Sequence, residues 1–179
     1  FALSLGFAFS ANAKSSQLPD KLVGHGGPVK SVQLDSAGTR ALTSSFDYSI
    51  MLWDLEDTPA KVLHRMIGHN AAVNDIAFVQ SGAVDAKEDI AVSVSDDGAF
   101  GIWDIASGKM ISMIKDGEEK MLDVAVSSDG SLAASAKWDG TARVYDLQSR
   151  TEIFRLEGHK GPVNAVTFSP NSSVVFSGS

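Results

Sequence analysis

From Val29 onwards, short apolar stretches are separated by clusters of small polar residues, with the length and punctuation of strands. Val29–Leu34 predicts a first strand, closed by the turn Asp35-Ser36-Ala37-Gly38. Ala41–Ser45 predicts a second strand, Phe46–Ser49 a turn and Ile50–Leu55 a third strand. Glu56–Ala60 holds a proline and two acids and reads as a loop, and Lys61–Ile67 reads as a fourth, outer strand. Asp, Ser and Gly recur in the turns because the first two bond to their own backbone and Gly accepts positive φ. The third strand is an apolar run, as expected where both faces of a sheet are covered, whereas the outer strand alternates. Gln80–Asp89 is a longer connection with three acids, Asp85, Glu88 and Asp89, and reads as a solvated loop. A third repeat starts near Lys120, with Leu132–Ser135 and Ala142–Leu147 as its second and third strands. Val163–Ser169 and Val174–Ser179 begin a fourth.

Two marks recur in phase with these strands. Gly-His stands at 24–25, 68–69 and 158–159, and the histidines are 44 and then 90 residues apart. Trp53-Asp54, Trp103-Asp104 and Tyr145-Asp146 close the third strands. A period in the forties with both marks predicts a β-propeller, one four-stranded blade per repeat. Propellers close with four to eight blades. Three and a half repeats fall short of that, and the chain starts at Phe1 and stops at Ser179 within a strand motif, so a fragment of a longer protein is expected.

These marks resemble the WD-repeat family over about Leu22 to Ser179. The resemblance implies an all-β WD-repeat β-propeller, here some three and a half blades of a seven-bladed ring, with residues 24–179 forming blades one to four and the fourth cut short. It further implies that Gln17–Val23, in the linker 14–23, serves as an outer strand completing the last blade. Ala41–Leu55 and Val124–Leu147 resemble, more narrowly, bacterial periplasmic proteins that join such a propeller to a c-type cytochrome domain.

In the WD-repeat family a His before the first strand, a Ser or Thr in the second, an Asp in the next turn and a Trp in the third form one hydrogen-bonded network. Trp donates through its ring N–H, the hydroxyl accepts it and passes a bond to imidazole, and Asp accepts from the other ring nitrogen and from turn amides. His25, Thr43, Asp47 and Trp53 match in the first repeat, and His69, Ser93, Asp97 and Trp103 in the second. Ser45 and Ser95, two residues on, are alternative hydroxyls. The fourth repeat offers His159 and Ser177. The third departs: Ser135 and Asp139 remain, but Gly117 stands in place of His and Tyr145 in place of Trp. A blade that dispenses with the network and is locally less rigid is expected there.

Net charge is −7, against the basic surfaces that nucleic acids and anionic membranes select. There is no cysteine, hence no disulfide, thiolate metal site or covalent haem within the chain. A haem c would belong to a further domain, beyond residue 179, with a Cys-x-x-Cys-His motif. No phosphate loop, zinc spacing or dinucleotide fingerprint is present, so no cofactor or metal is expected in this chain. Phe1–Phe9 is apolar, and Ser10-Ala11-Asn12-Ala13 places small residues at 11 and 13. Residues 1–13 read as the end of a secretory signal peptide cleaved after Ala13, which makes the protein periplasmic, with no membrane insertion of the mature chain.

The repeated His, Ser and Asp invite a hydrolase reading, but a nucleophilic triad is single and open to substrate. His64, outside the Gly-His pairs, is expected to be exposed on an outer strand. The family resemblance places partner binding on the face carrying the Gly-His and Asp turns. Phe46, Asp96 and Trp138 precede the turn aspartates there, either exposed as anchors or packed on the adjacent blade. Lys30, Asn74 and Asn164, after the first-strand Val, are weaker candidates. A non-catalytic protein-interaction platform is expected, with an unidentified protein partner and no nucleic acid. The alternative is the propeller half of a periplasmic cytochrome electron-transfer protein, and a third reading, a cytosolic scaffold, requires Phe1–Ala13 to be retained.

Overall fold

The computed structural model describes residues 21–57, 59–79, 89–115 and 117–179. The Phe1–Ala13 segment, Gln17–Asp20 of the expected outer strand and all but Asp89 of the Gln80–Asp89 connection lie outside the described residues. The first blade is the antiparallel sheet of β1 (Val29–Leu34), β2 (Arg40–Ser45), β3 (Ser49–Asp54) and β4 (Lys61–Ile67). The second is β5 (Val73–Phe78), β6 (Ile90–Ser95), β7 (Ala99–Asp104) and β8 (Lys109–Lys115). The third is β9 (Met121–Val126), β10 (Leu132–Lys137), β11 (Ala142–Asp146) and β12 (Thr151–Leu156). A two-stranded sheet of β13 (Ala165–Phe168) and β14 (Val175–Gly178) follows. In each blade the strands pair in chain order, as the repeat pattern predicts.

Some strand ends differ from expectation for one reason. Leu55 and Leu147 leave their strands because their N–H groups close hairpins onto Thr39 O at 2.9 Å and Ser131 O at 3.0 Å. Val163 is likewise spent on the preceding blade, donating to Lys137 O at 3.0 Å. Leu22 is buried against Ala41, Met51, Trp53 and Leu55 of the first blade.

The core lies between the sheets. Leu42, Ile50, Leu52 and Met66 of the first blade pack on Val73, Ile76, Ala91 and Trp103 of the second. Val92, Val94, Phe100 and Ile102 of the second pack on Met121, Val124 and Tyr145 of the third. Ala134, Ala136 and Val144 of the third meet Val163 and Val166. Removing these apolar faces from water is the main stabilising term, so each blade depends on its neighbours. The second strands are buried almost throughout, which is why they read as apolar and small rather than alternating.

A register shift recurs at one place in the first strands, between Val29 and Ser31 in β1 and between Val73 and Asp75 in β5. In the third blade it lies opposite Ala136/Lys137, which pair with Asp123 and Met121. Lys30, Asn74 and Leu122 thus stand outside the ladder, and a bulge re-aims the side chain it leaves unpaired. This is the physical reason these positions reach the turn-bearing end of the blades.

Candidate functional site

In the first blade Trp53 Nε1 donates to Thr43 Oγ1 at 2.8 Å. Thr43 Oγ1 lies 2.7 Å from His25 Nε2, and His25 Nδ1 lies 3.0 Å from Asp47 Oδ2. What each atom is able to donate fixes one direction: indole N–H to hydroxyl, hydroxyl to imidazole, imidazole N–H to carboxylate. The second blade repeats the relay, with Trp103 Nε1 to Ser93 Oγ at 2.7 Å, Ser93 Oγ to His69 Nε2 at 2.7 Å and His69 Nδ1 to Asp97 Oδ2 at 3.0 Å. Of the alternative hydroxyls, Thr43 and Ser93 enter the relay. Ser45 and Ser95 instead cap the turns, accepting the N–H of Asp47 and of Asp97 at 3.1 Å. Gly precedes His25 and His69 because a Cβ at Gly24 or Gly68 would come 2.9 or 3.1 Å from Cη2 of the blade's Trp.

The aspartates fasten the turns. Asp47 accepts from Gly26 N at 2.7 Å, Ser49 N at 3.0 Å and Ser49 Oγ at 2.6 Å. Burial works against its ionisation, but these donors and His25 hold its carboxyl far below the usual range. Asp97 is likewise opposed by burial and held down to about 2 by His69 and the N–H groups of Asn70 and Ala99. Ser93 is fully buried and its oxygen is taken by the indole donor, so this His-Ser-Asp set is a structural clasp that substrate does not reach. His159 Nε2 lies 2.8 Å from Ser177 Oγ of the last sheet, where His159 is exposed and Ser177 half-buried.

The third blade does not go without a network, as the sequence suggested; it has a different one. Arg143 is almost wholly buried. Its Nη2 reaches Asp139 Oδ2 at 3.2 Å, its Nη1 reaches Glu152 Oε1 at 3.0 Å and Oε2 at 3.1 Å, and its Nε reaches Thr141 Oγ1 at 3.0 Å. Asp139 also accepts from Thr141 N at 3.0 Å. Burial raises its carboxyl, but Thr141 and the charges of Lys137 and Arg143 lower it overall. Ser135 Oγ bonds to Tyr145 OH at 3.2 Å, and Tyr145 stacks on Phe100 with centroids 4.1 Å apart. Arg143 occupies the strand position of Gly101, where a Cβ would meet Ser93 Oγ at 2.8 Å, Trp103 Nε1 at 2.9 Å and His69 Nε2 at 3.2 Å. The guanidinium therefore uses the side of the blade that imidazole fills elsewhere.

On the turn face the aromatics are exposed, Phe46 by 44% and Trp138 by 52%, so neither is consumed by packing on the adjacent blade. Lys30 Nζ lies 5.0 Å from the centroid of the Phe46 ring. Asp96 is committed to its neighbours, accepting from Asn74 Nδ2 at 2.7 Å and from Lys120 Nζ at 2.7 Å. Asn74 is buried and donates also to Met121 O at 2.8 Å, so these two residues tie blade two to blade three. Asn164 is exposed and folds back onto Pro162 O at 3.3 Å. Sequence reasoning missed Tyr48. It is 50% exposed and holds φ 67°, at the turn position filled by Gly98 and Gly140 in the other blades. A bulky residue held in left-handed backbone is a strained arrangement of the kind kept at functional surfaces. The signal was Tyr standing where the other turns read Asp-Gly. His64 is only partly exposed, with Nε2 3.0 Å from Ala106 O, so it clasps blade two rather than facing solvent alone.

The model of the WD domain, G-beta repeat, matches residues 16–54, 60–104, 109–146 and 150–179. The chain belongs to the WD40 repeat family. Nuclear distribution protein nudF of Aspergillus niger is 29% identical over 161 residues, which is 88% of this WD40 chain and 34% of that protein. Pre-mRNA-processing factor 19 of Oryza sativa subsp. japonica is 24% identical over 160 residues, 88% of this chain and 29% of that protein. WD repeat-containing protein SL1-17 of Schistosoma mansoni is 31% identical over 156 residues, 87% of this chain and 49% of that protein. The WD40 chain thus spans about a third of the first two and half of the last.

Proposed function

We propose that this WD40 chain is a non-catalytic protein-interaction platform and that its partner sits on the turn face around Phe46, Tyr48 and Trp138. The observation that carries the reading is the exposure of these three aromatics on turns locked from beneath by Asp47 and Asp139. Aromatics on rigid loops bind with little loss of side-chain entropy, and such residues carry most of the energy of protein interfaces. A net charge of −7 favours a protein partner over nucleic acid. Phe46→Ala and Trp138→Ala are expected to remove a captured partner without lowering the thermal midpoint, while Leu63→Ser on the outer strand leaves capture unchanged. Partner retention by the Phe46→Ala, Trp138→Ala double variant would move the binding face elsewhere.

Export to the periplasm rests on the pattern of Phe1–Ala13, and N-terminal sequencing of the mature protein tests it, with Lys14 expected first. The electron-transfer reading rests on the likeness of Ala41–Leu55 and Val124–Leu147 to periplasmic propeller–cytochrome proteins. No residue here fits covalent haem, since the chain has no cysteine, so that chemistry would belong to a separate domain, and a haem stain of the whole protein decides it.

A further inference from the structure

The first strands of successive blades pack side by side. Two residues after Val29, Val73, Met121 and Val163 stand Ser31, Asp75, Asp123 and Ala165. Only blades two and three place a carboxyl group at this position, and the two are neighbours. Each reaches across a seam into the next blade. Asp75 Oδ2 accepts the N–H of Val124 at 3.0 Å, and Asp123 Oδ2 accepts that of Val166 at 2.7 Å. Since Val124 follows Asp123 in the chain, the first bond draws one carboxyl group alongside the other, and the two come within hydrogen-bonding reach. Both residues are half-buried.

Among the described residues no cation compensates them; Arg40 on β2, which packs on β5, pairs with Asp35 and Asp89. β5, β6, β9, β13 and β14 contain no Lys, Arg or His. Lys30 on β1 lies over Phe46, and the charge of Lys137 at the end of β10 acts on Asp139. Two carboxylates in contact in a half-buried seam repel when both are ionised, whereas one proton turns the repulsion into a hydrogen bond. We propose that Asp75 and Asp123 share one proton across the seam of blades two and three, and that its loss loosens the docking of blades two, three and four.

Burial, only partly offset by the Val166 N–H, together with the hydrogen bond and charge of Asp75, pushes Asp123 up to about 6. The folded chain then holds this proton more tightly than the unfolded chain, where an aspartate titrates at 3.8. The stabilisation is therefore complete below 3.8 and is lost as pH rises through about 6. Blade docking becomes sensitive to pH just below neutrality, through residues remote from the turn face.

The test is a carbon-detected NMR titration of the aspartate carboxyl groups in the full chain, a signal that reads carboxyl groups alone. One carboxyl carbon is expected to titrate with a midpoint about 2 pH units above an ordinary aspartate. Asp123→Asn should abolish that midpoint, and Asp75→Asn should lower it, leaving only the part that burial supplies. Asp123→Asn, which mimics the protonated pair, should also raise the thermal midpoint at pH 8 and leave it unchanged at pH 5. Wild-type protein in which every aspartate titrates in the ordinary range overturns the proposal, whether or not the variants fold. So does a midpoint near 6 that survives in both variants.

Discussion

In the second blade His69 bridges Asp97 and Ser93 in the space beside Gly101, whereas in the third Gly117 leaves out the imidazole and Arg143 bridges Asp139 and Glu152. The contrast explains why His and Trp disappear together. Imidazole accepts from the serine hydroxyl, but guanidinium has donors only. With Arg in place of His, the Ser135 proton needs another acceptor. Indole cannot supply one, whereas a phenol both donates and accepts, and Tyr145 OH lies 3.2 Å from Ser135 Oγ. The two blades are alternative solutions to one satisfaction problem, one through an imidazole relay that ends on a single carboxylate and one through a buried cation between two carboxylates.

Their costs of disruption should differ. His69→Ala opens a cavity around fully buried Ser93 and deprives Asp97 of a donor, and is expected to cost about 3 kcal/mol by chemical denaturation. Arg143→Ala leaves Asp139 and Glu152, whose side chains are 22% and 25% exposed, able to recruit water. Its cost should be nearer 2 kcal/mol, below that of a fully buried broken pair. A larger loss for Arg143→Ala would reverse the ranking and make the cation the stronger clasp.

Acid separates the blades further. Asp97 is held down at about 2, so its contribution is complete above 3.8 and lost as pH falls through about 2. The thermal midpoint should fall across that window, and Asp97→Asn should flatten the fall; an unchanged slope in the variant would remove Asp97 from the acid response. The first blade offers two smaller effects. Tyr48→Gly should stabilise by about 1 kcal/mol, because it relieves the left-handed strain absent from Gly98 and Gly140, while weakening partner capture. Loss of stability on that change would show that Tyr48 packs rather than binds. Ser44 is fully buried, and among the described residues its hydroxyl has no hydrogen-bond partner, where Val94 and Ala136 stand in the other blades. Ser44→Ala should therefore leave stability unchanged or raise it by up to about 1 kcal/mol, and a drop would reveal a bridging water.

The repeated four-stranded sheets, their strand order and the hydrogen-bond partners within them were legible because each recurs at one period, as His25 and His69 or Asp47 and Asp97 do. The features that were not legible break the period and act across it. Arg143 sits in an otherwise apolar strand, and only the geometry beside Gly101 shows which space it fills. Asp75 and Asp123 look like ordinary polar positions until the seam brings them together. Asp96 and Asn74 read as partner-binding candidates but are spent on each other, because the bulge at Asn74 turns its amide towards the next blade.

The exchange of His for Arg is tested most directly by placing the arginine in the second blade. Gly101→Arg alone should cost at least about 3 kcal/mol, because its Cβ would collide with Ser93, Trp103 and His69. In a His69→Gly background the same substitution should cost at least about 1.5 kcal/mol less, since the guanidinium then has the imidazole's space and Asp97 as acceptor. Additive costs for the two changes would contradict the claim that His and Arg are alternatives for one site.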